Sequence, residues 1–234
     1  MPAEADELAR IRSAYRRYAM DPDELRRRDA GNAGLRAIAD EFHHALARSL
    51  SARGRLGPGV SVLDVGCGAG GLLGWFVAHG ADPEACHGID LMPDRVQAAR
   101  GRVPGAHIVE GQASALPWDD ASFDVTVMSM VLSSVLDRSL AASVVREARR
   151  VTAPRGVLAI YDTFLPNPRN PDVRAVRRHE LEVELTGWDP EIHTISLLPP
   201  LSRRLGRATP FAYPLLSRVP GLRARHLVVA ERPR

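Results

Sequence analysis

The sequence contains no lysine; all 31 of its basic residues are arginine. A lysine base or Schiff-base former is therefore excluded, because a guanidinium does not give up its proton. Cysteine is nearly absent as well: Cys67 and Cys86 are too few for a disulfide framework, and both read as packed thiols. Aromatic residues make up 5% of the chain, too few for a stacking platform that holds single-stranded nucleic acid. No run approaches the ~20 apolar residues that span a bilayer. The chain starts acidic and polar, without the apolar centre of a secretory signal. Net charge is only +3. These absences predict a soluble, cytoplasmic protein with neither a membrane nor a nucleic acid as partner.

What is present is ample core material: 45% of the 234 residues are hydrophobic, enough for one domain with additions. Two stretches carry helical spacing at the start. Leu8, Ile11, Tyr15 and Tyr18 form a stripe over 4–19; Leu35, Ile38, Phe42, Leu46 and Leu50 form another over 34–51. After the breakers Gly54, Gly57, Pro58 and Gly59, strands are predicted at about 60–65, 86–90, 106–109, 123–129 and 157–161. Helices are predicted between them at about 70–79, 93–101 and 138–152, the last closed by Pro154 and Gly156. Asn170 and Pro171 predict a further helix over 171–185, followed by late strands at 192–197 and 226–230 with short helices between. Strand–helix alternation with short connections is the pattern of an α/β, Rossmann-like, doubly wound and mostly parallel sheet.

The most specific stretch is Val62-Leu63-Asp64-Val65-Gly66-Cys67-Gly68-Ala69-Gly70, a buried strand that ends in a glycine turn and opens a helix. Glycines let a ligand approach the backbone closely. Asp64 suits a ligand with a cationic amino group and repels one presenting phosphates. Gly66, Gly68 and Gly71, with Asp90 about 20 residues on, also satisfy the dinucleotide fingerprint. An NAD(P)-binding protein is therefore an alternative, weakened by Asp64 and by the short chain after the fifth strand. Asp90 ends the second strand, where an acid takes both ribose hydroxyls of an adenosyl group; it would otherwise cap the helix at Pro93. Leu91 and Met92 either flank the adenine face or serve as ordinary packing.

These residues continue into an ordered set: Gly88-Ile89-Asp90, then Gly111-Gln112-Ala113, Leu116-Pro117-Trp118, Ser122-Phe123-Asp124, and Arg146-Glu147 to Gly156. Over about residues 60–162 the set resembles the class I S-adenosylmethionine-dependent methyltransferases, in particular the type 11 subgroup. The resemblance implies S-adenosyl-L-methionine as cofactor and a seven-stranded sheet with an antiparallel last strand. It implies that Gly66 and Gly68 pass the cofactor closely, that Asp64 faces its amino end and Asp90 holds its ribose. Gln112 and Ala113 would lie on the adenine, Gln112 standing where the family often has an acid. Ser129 and Met130 would border the reacting methyl, and Arg155 replaces the usual first glycine of the turn before the fifth strand. The reading divides the chain into an N-terminal helical lid over 1–56 and a methyltransferase domain over 57–234, with substrate-side additions over 170–225.

Methyl transfer from sulfonium is an in-line displacement, so the protein must align the acceptor and exclude water. A sugar hydroxyl would also need a base. The candidates are His43, Asp162 and His179, beside His44. Tyr15 and Tyr18 of the lid are candidate substrate contacts together with Met130. No metal-ligand spacing occurs. The acceptor is expected to be a small molecule, sugar-containing or a secondary metabolite, methylated on O or N. A partner subunit that binds the cofactor without catalysis is the second reading, because no base identifies itself. The sequence leaves a homodimer open.

Overall fold

The computed structural model of the chain describes residues 2–27, 29 and 31–234. Seven strands form one sheet: β1 (Val62–Val65), β2 (Cys86–Asp90), β3 (His107–Glu110), β4 (Phe123–Ser129), β5 (Thr152–Thr163), β6 (Glu191–Leu197) and β7 (Arg223–Glu231), in the order β3-β2-β1-β4-β5-β7-β6. The first five pair in parallel, and β7 runs antiparallel to both β5 and β6. The architecture is the doubly wound sheet that the alternation implied, with the antiparallel last strand that the family resemblance implied.

Central strands are apolar on both sides because helices cover both faces. Leu63, Val65, Met128, Leu158 and Ile160 project to one face, where α6 (Arg138–Val151) and Ile11 of α1 (Pro2–Met20) pack. Val62, Val125, Val127, Val157, Ala159 and Tyr161 project to the other, against α3 (Ala33–Ser51), α4 (Gly71–Ala78) and α5 (Pro93–Arg102). Both cysteines are buried on that second face, Cys67 in the glycine turn and Cys86 in β2. Burial raises both thiols, Cys86 to about 11, so neither is a reactive thiolate at neutral pH.

Several elements depart from expectation for identifiable reasons. A short helix, α2 (Pro22–Arg27), follows α1; it buries no residue, so no apolar stripe marked it. The helix expected over 171–185 is only α7 (Arg178–Glu184). The preceding amides are recruited elsewhere: Asp172 N bonds Asn170 Oδ1, Arg174 N bonds Ser133 O, and Val176 N bonds Thr163 O at 2.8 Å. Strand β5 begins at Thr152 rather than Val157, through a bulge opposite β4 with Arg155 at φ 60°. The N-terminal block divides between the two faces: α1 lies on the α6 face, whereas Phe42 of α3 stacks on Tyr161 across the sheet at 4.1 Å between ring centroids. Two late helices, α8 (Pro199–Arg204) and α9 (Thr209–Leu216), pack beside α3 around Ile38, Leu197 and Tyr213.

Candidate active site at the carboxyl edge of the sheet

The glycine turn is pinned to the end of β2: Gly66 N and Cys67 N both donate to Ile89 O, at 2.8 and 3.0 Å. Gly66, Gly68 and Gly70 all take positive φ, at 73°, 52° and 75°. Their reasons differ. A Cβ on Gly66 would meet Val131 Cγ2 at 2.6 Å, whereas a Cβ on Gly68 would meet nothing within 4 Å. Gly68 thus leaves open space on the ligand side of the turn. Asp90 locks the arrangement, its Oδ2 accepting from Gly68 N at 2.8 Å and its Oδ1 from Met92 N at 2.9 Å. Each oxygen keeps a further lone pair for a hydroxyl donor.

Around this turn lies a cavity of about 350 Å³, within the range of ligand pockets. Its floor comes from the carboxyl ends of the parallel strands: Asp90 and Leu91 at the end of β2, Gly111, Gln112 and Ala113 after β3, Ser129 and Met130 at the end of β4. Its roof is Leu8, Ile11 and Tyr15 of α1. Leu140 and Val144 of α6 close one side. Met130 holds a left-handed φ of 59°, stabilised by its N–H donating to Tyr161 O at 2.7 Å. Strain of this kind gathers at ligand sites.

Of the residues singled out in the sequence, Gly66, Gly68, Asp90, Leu91, Gln112, Ala113, Ser129, Met130 and Tyr15 meet at this one cavity. Asp64 lies beneath the turn, outside the lining and 2% exposed. Burial first, and the neighbouring Asp90 carboxylate second, raise its pKa to about 7. Tyr18 is outside as well; its hydroxyl donates to Asn170 Oδ1 at 2.9 Å. His43 stacks on Trp75 of α4 at 5.3 Å between centroids, and burial lowers its pKa. Asp162 is buried under the β4–α6 loop, where it accepts from Ser133 N and Thr163 N. Burial raises its pKa. His179 lines a separate cavity of about 220 Å³ between α6 and α7. None of the three base candidates lines the cofactor-sized cavity.

Sequence reasoning missed the residues that seat α1. Arg95 of α5 lines the cavity and lies over the Tyr15 ring at 4.3 Å. Tyr15 Oη and Ser134 Oγ are 2.9 Å apart. Glu7 accepts from Leu136 N at 2.6 Å and from Arg10, whose guanidinium holds the carboxyl below its usual range. Arg10 also donates to Ser134 O and Asp172, and Arg17 reaches Asp172 at 2.6 Å. Ser114 Oγ donates to Glu4 at 2.7 Å. Apart from the Glu7–Arg10 pair within α1, these partners are distant in sequence, so no local spacing announced them. Among the described residues there is no cluster of three metal-ligating side chains.

The residues present fit S-adenosylmethionine: a glycine face left open at Gly68, and a lining carboxylate, Asp90, whose oxygens keep lone pairs for hydroxyl donors. Two neighbouring carboxylates, Asp64 and Asp90, are a poor seat for a diphosphate.

Comparison with known proteins agrees. A family model described as a methyltransferase domain matches residues 63–160. The chain is 32% identical over 173 residues to 2-phytyl-1,4-naphtoquinone methyltransferase of Trichormus variabilis, a match covering 70% of this chain and 67% of that protein. It is 30% identical over 128 residues to an uncharacterized methyltransferase of Synechocystis sp., covering 55% of this chain and 57% of the relative. The matches thus span from a little over half to two thirds of these relatives. An S-adenosylmethionine-dependent methyltransferase of Mesorhizobium loti has a TM-score of 0.58 at 20% identity, over 79% of this chain and 96% of that one, a likeness of fold alone.

Proposed function

Because this chain belongs to the class I S-adenosylmethionine-dependent methyltransferases, of the type 11 group, we propose that it transfers the cofactor's methyl to a small-molecule acceptor whose own oxygen or nitrogen is already a competent nucleophile. S-adenosylmethionine supplies a methyl activated by its cationic sulfur. The chain's residues do the rest. Asp90 takes the ribose hydroxyls, Gly66 and Gly68 admit the cofactor against the backbone, Gln112 and Ala113 border the adenine, and Asp64 faces the amino end. Ser129 and Met130 border the reacting carbon, and the α1 roof of Leu8, Ile11 and Tyr15 keeps water out.

One observation carries the acceptor class. Among the described lining residues Asp90 is the one carboxylate, and both its oxygens are already bonded to amides; no histidine lines the cavity. A sugar hydroxyl, with its high pKa, lacks a base there. A phenol, an enol, a reduced quinone or an amine needs none, because it ionises or attacks unaided. In the transfer the acceptor atom forms the new bond to carbon, the carbon–sulfur bond breaks, and the acceptor's proton passes to solvent. Similarity to a relative named for a naphthoquinone acceptor supports the aromatic members of this class.

The test is transfer of label from methyl-labelled S-adenosylmethionine to a panel of hydroquinones, phenols, amines and sugars. Label on a hydroquinone, phenol or amine, with sugars unlabelled, is expected. Label confined to sugars overturns the acceptor class. Tight binding of S-adenosylhomocysteine with no transfer to any of them favours the non-catalytic partner subunit, and binding of NAD(P) in its place overturns the whole reading.

A further inference from the structure

From Ile192 to Ala230 the chain contains six arginines and neither aspartate nor glutamate. The middle of this segment is α8 and α9. On α9, Thr209 and Tyr213 face inward, and Phe211 and Leu215 project outward at 84% and 65% exposure. They lie four residues apart and share one helical face. Val219, 47% exposed, follows beyond the helix end. Arg204, Arg207 and Arg218 bracket these apolar side chains; all three are exposed, and among the described residues none has a carboxylate within ion-pair distance. Asn32 Nδ2 donates to Arg203 O, which joins this face to the α2 end of the chain, where Leu25 is 54% exposed.

We propose that this outer face of α8 and α9 docks on a membrane leaflet carrying anionic lipid headgroups. Three features select that occupant. The apolar side chains are exposed on the outer face of α9, so they enter an acyl layer without needing a groove to receive them. The flanking unpaired guanidiniums match phosphate headgroups in charge and geometry. A second copy of the chain is a poor occupant, because an isologous contact would set Arg204, Arg207 and Arg218 against their own copies, while the acids of the adjoining α2, Asp23 and Glu24, are already paired with Arg26 and Arg27. Among the described residues no helix is long and apolar enough to cross a membrane, and an interfacial contact does not need one. A surface contact of this kind leaves no spanning run in the sequence, which is why no membrane partner was expected from it.

The test uses the full chain in flotation with vesicles of phosphatidylcholine alone and of phosphatidylcholine mixed with phosphatidylglycerol. Binding to the mixed vesicles that weakens with added salt is expected. Arg204→Gln with Arg207→Gln should weaken it about thirty-fold, taking each arginine near an anionic surface at its usual worth. Phe211→Ser with Leu215→Ser should weaken it about tenfold or more. Both variants should keep their thermal stabilisation by S-adenosylhomocysteine, which separates lost docking from lost fold and from failure of the cofactor assignment. Equal binding to both vesicle types, no binding to either, or a concentration-dependent dimer dissolved by Phe211→Ser would overturn the proposal.

Discussion

Asp64 is buried and carries a pKa of about 7, far above its value in an unfolded chain. The fold therefore favours the protonated form. Its contribution to stability is complete below about pH 4 and is lost as pH rises through about 7. Asp64→Asn should remove that decline, so that the stability difference between wild type and variant, followed by urea denaturation, changes across this window. The proposed pairing with the cofactor's amino end adds an opposite pH effect on binding. S-adenosylhomocysteine affinity, measured by calorimetry, should rise with pH by at most about tenfold per unit below about pH 7, and be flat in Asp64→Asn. Arg155 offers a simpler test. It sits exposed at φ 60°, a conformation that costs an L side chain of its kind about 1 kcal/mol. Arg155→Gly should raise the melting temperature slightly and leave turnover unchanged. The sequence showed Arg155 standing where relatives have glycine; the left-handed backbone at that point is what the structure adds.

The decisive element is α1. Its inner stripe, Leu8, Ile11 and Tyr15, was legible from helical spacing, and the cavity roof uses it. Its outer attachments were not legible. They join Glu7 and Arg10 to the loop after β4, and Arg10, Arg17 and Tyr18 to Asp172 and Asn170. These ion pairs are partly buried, Arg17 alone being exposed, and each contributes on the order of 1 kcal/mol, a size that suits α1 if, as we propose, it opens and closes over the cofactor. Asp172→Ala should therefore leave the melting temperature nearly unchanged and speed proteolytic cutting within α1. It should raise the cofactor KM about threefold to tenfold, the loss of roughly 1 kcal/mol of closure. S-adenosylhomocysteine should restore protection against cutting. Glu7 works in the same latch with its carboxyl held below the usual range, chiefly by Arg10. Its stabilising share is present above about pH 4.3 and is lost as pH falls through its lowered value. The base candidates show the limit of reading elements singly. His43 and Asp162 sit on well-predicted elements, yet one stacks on Trp75 and the other is spent holding Ser133.

For the whole molecule, a ligand that binds only the folded state stabilises it by mass action. At a hundred times its dissociation constant, S-adenosylhomocysteine should add about 2.7 kcal/mol. In a chain of this size that is a rise of about 5–10 °C in melting temperature, read by differential scanning calorimetry. The rise should be absent with NADH and should shrink strongly in Asp90→Ala, which removes the proposed ribose ligand and frees the Gly68 and Met92 amides together. The same scale includes the late segment from Ile192 to Ala230, which carries six arginines and no acid.

The sequence by itself determined the alternation of the five parallel strands with their helices and the glycine turn that follows the first of them, because these depend on local periodicity and backbone freedom over a few neighbouring residues. Only the tertiary structure decided which side chains share the cavity. It placed α1 over the cavity and α3 across the sheet, left the cavity wall without a histidine, and turned Phe211 and Leu215 outward. Those outcomes rest on contacts between residues far apart in the chain, and no local pattern encodes such distances.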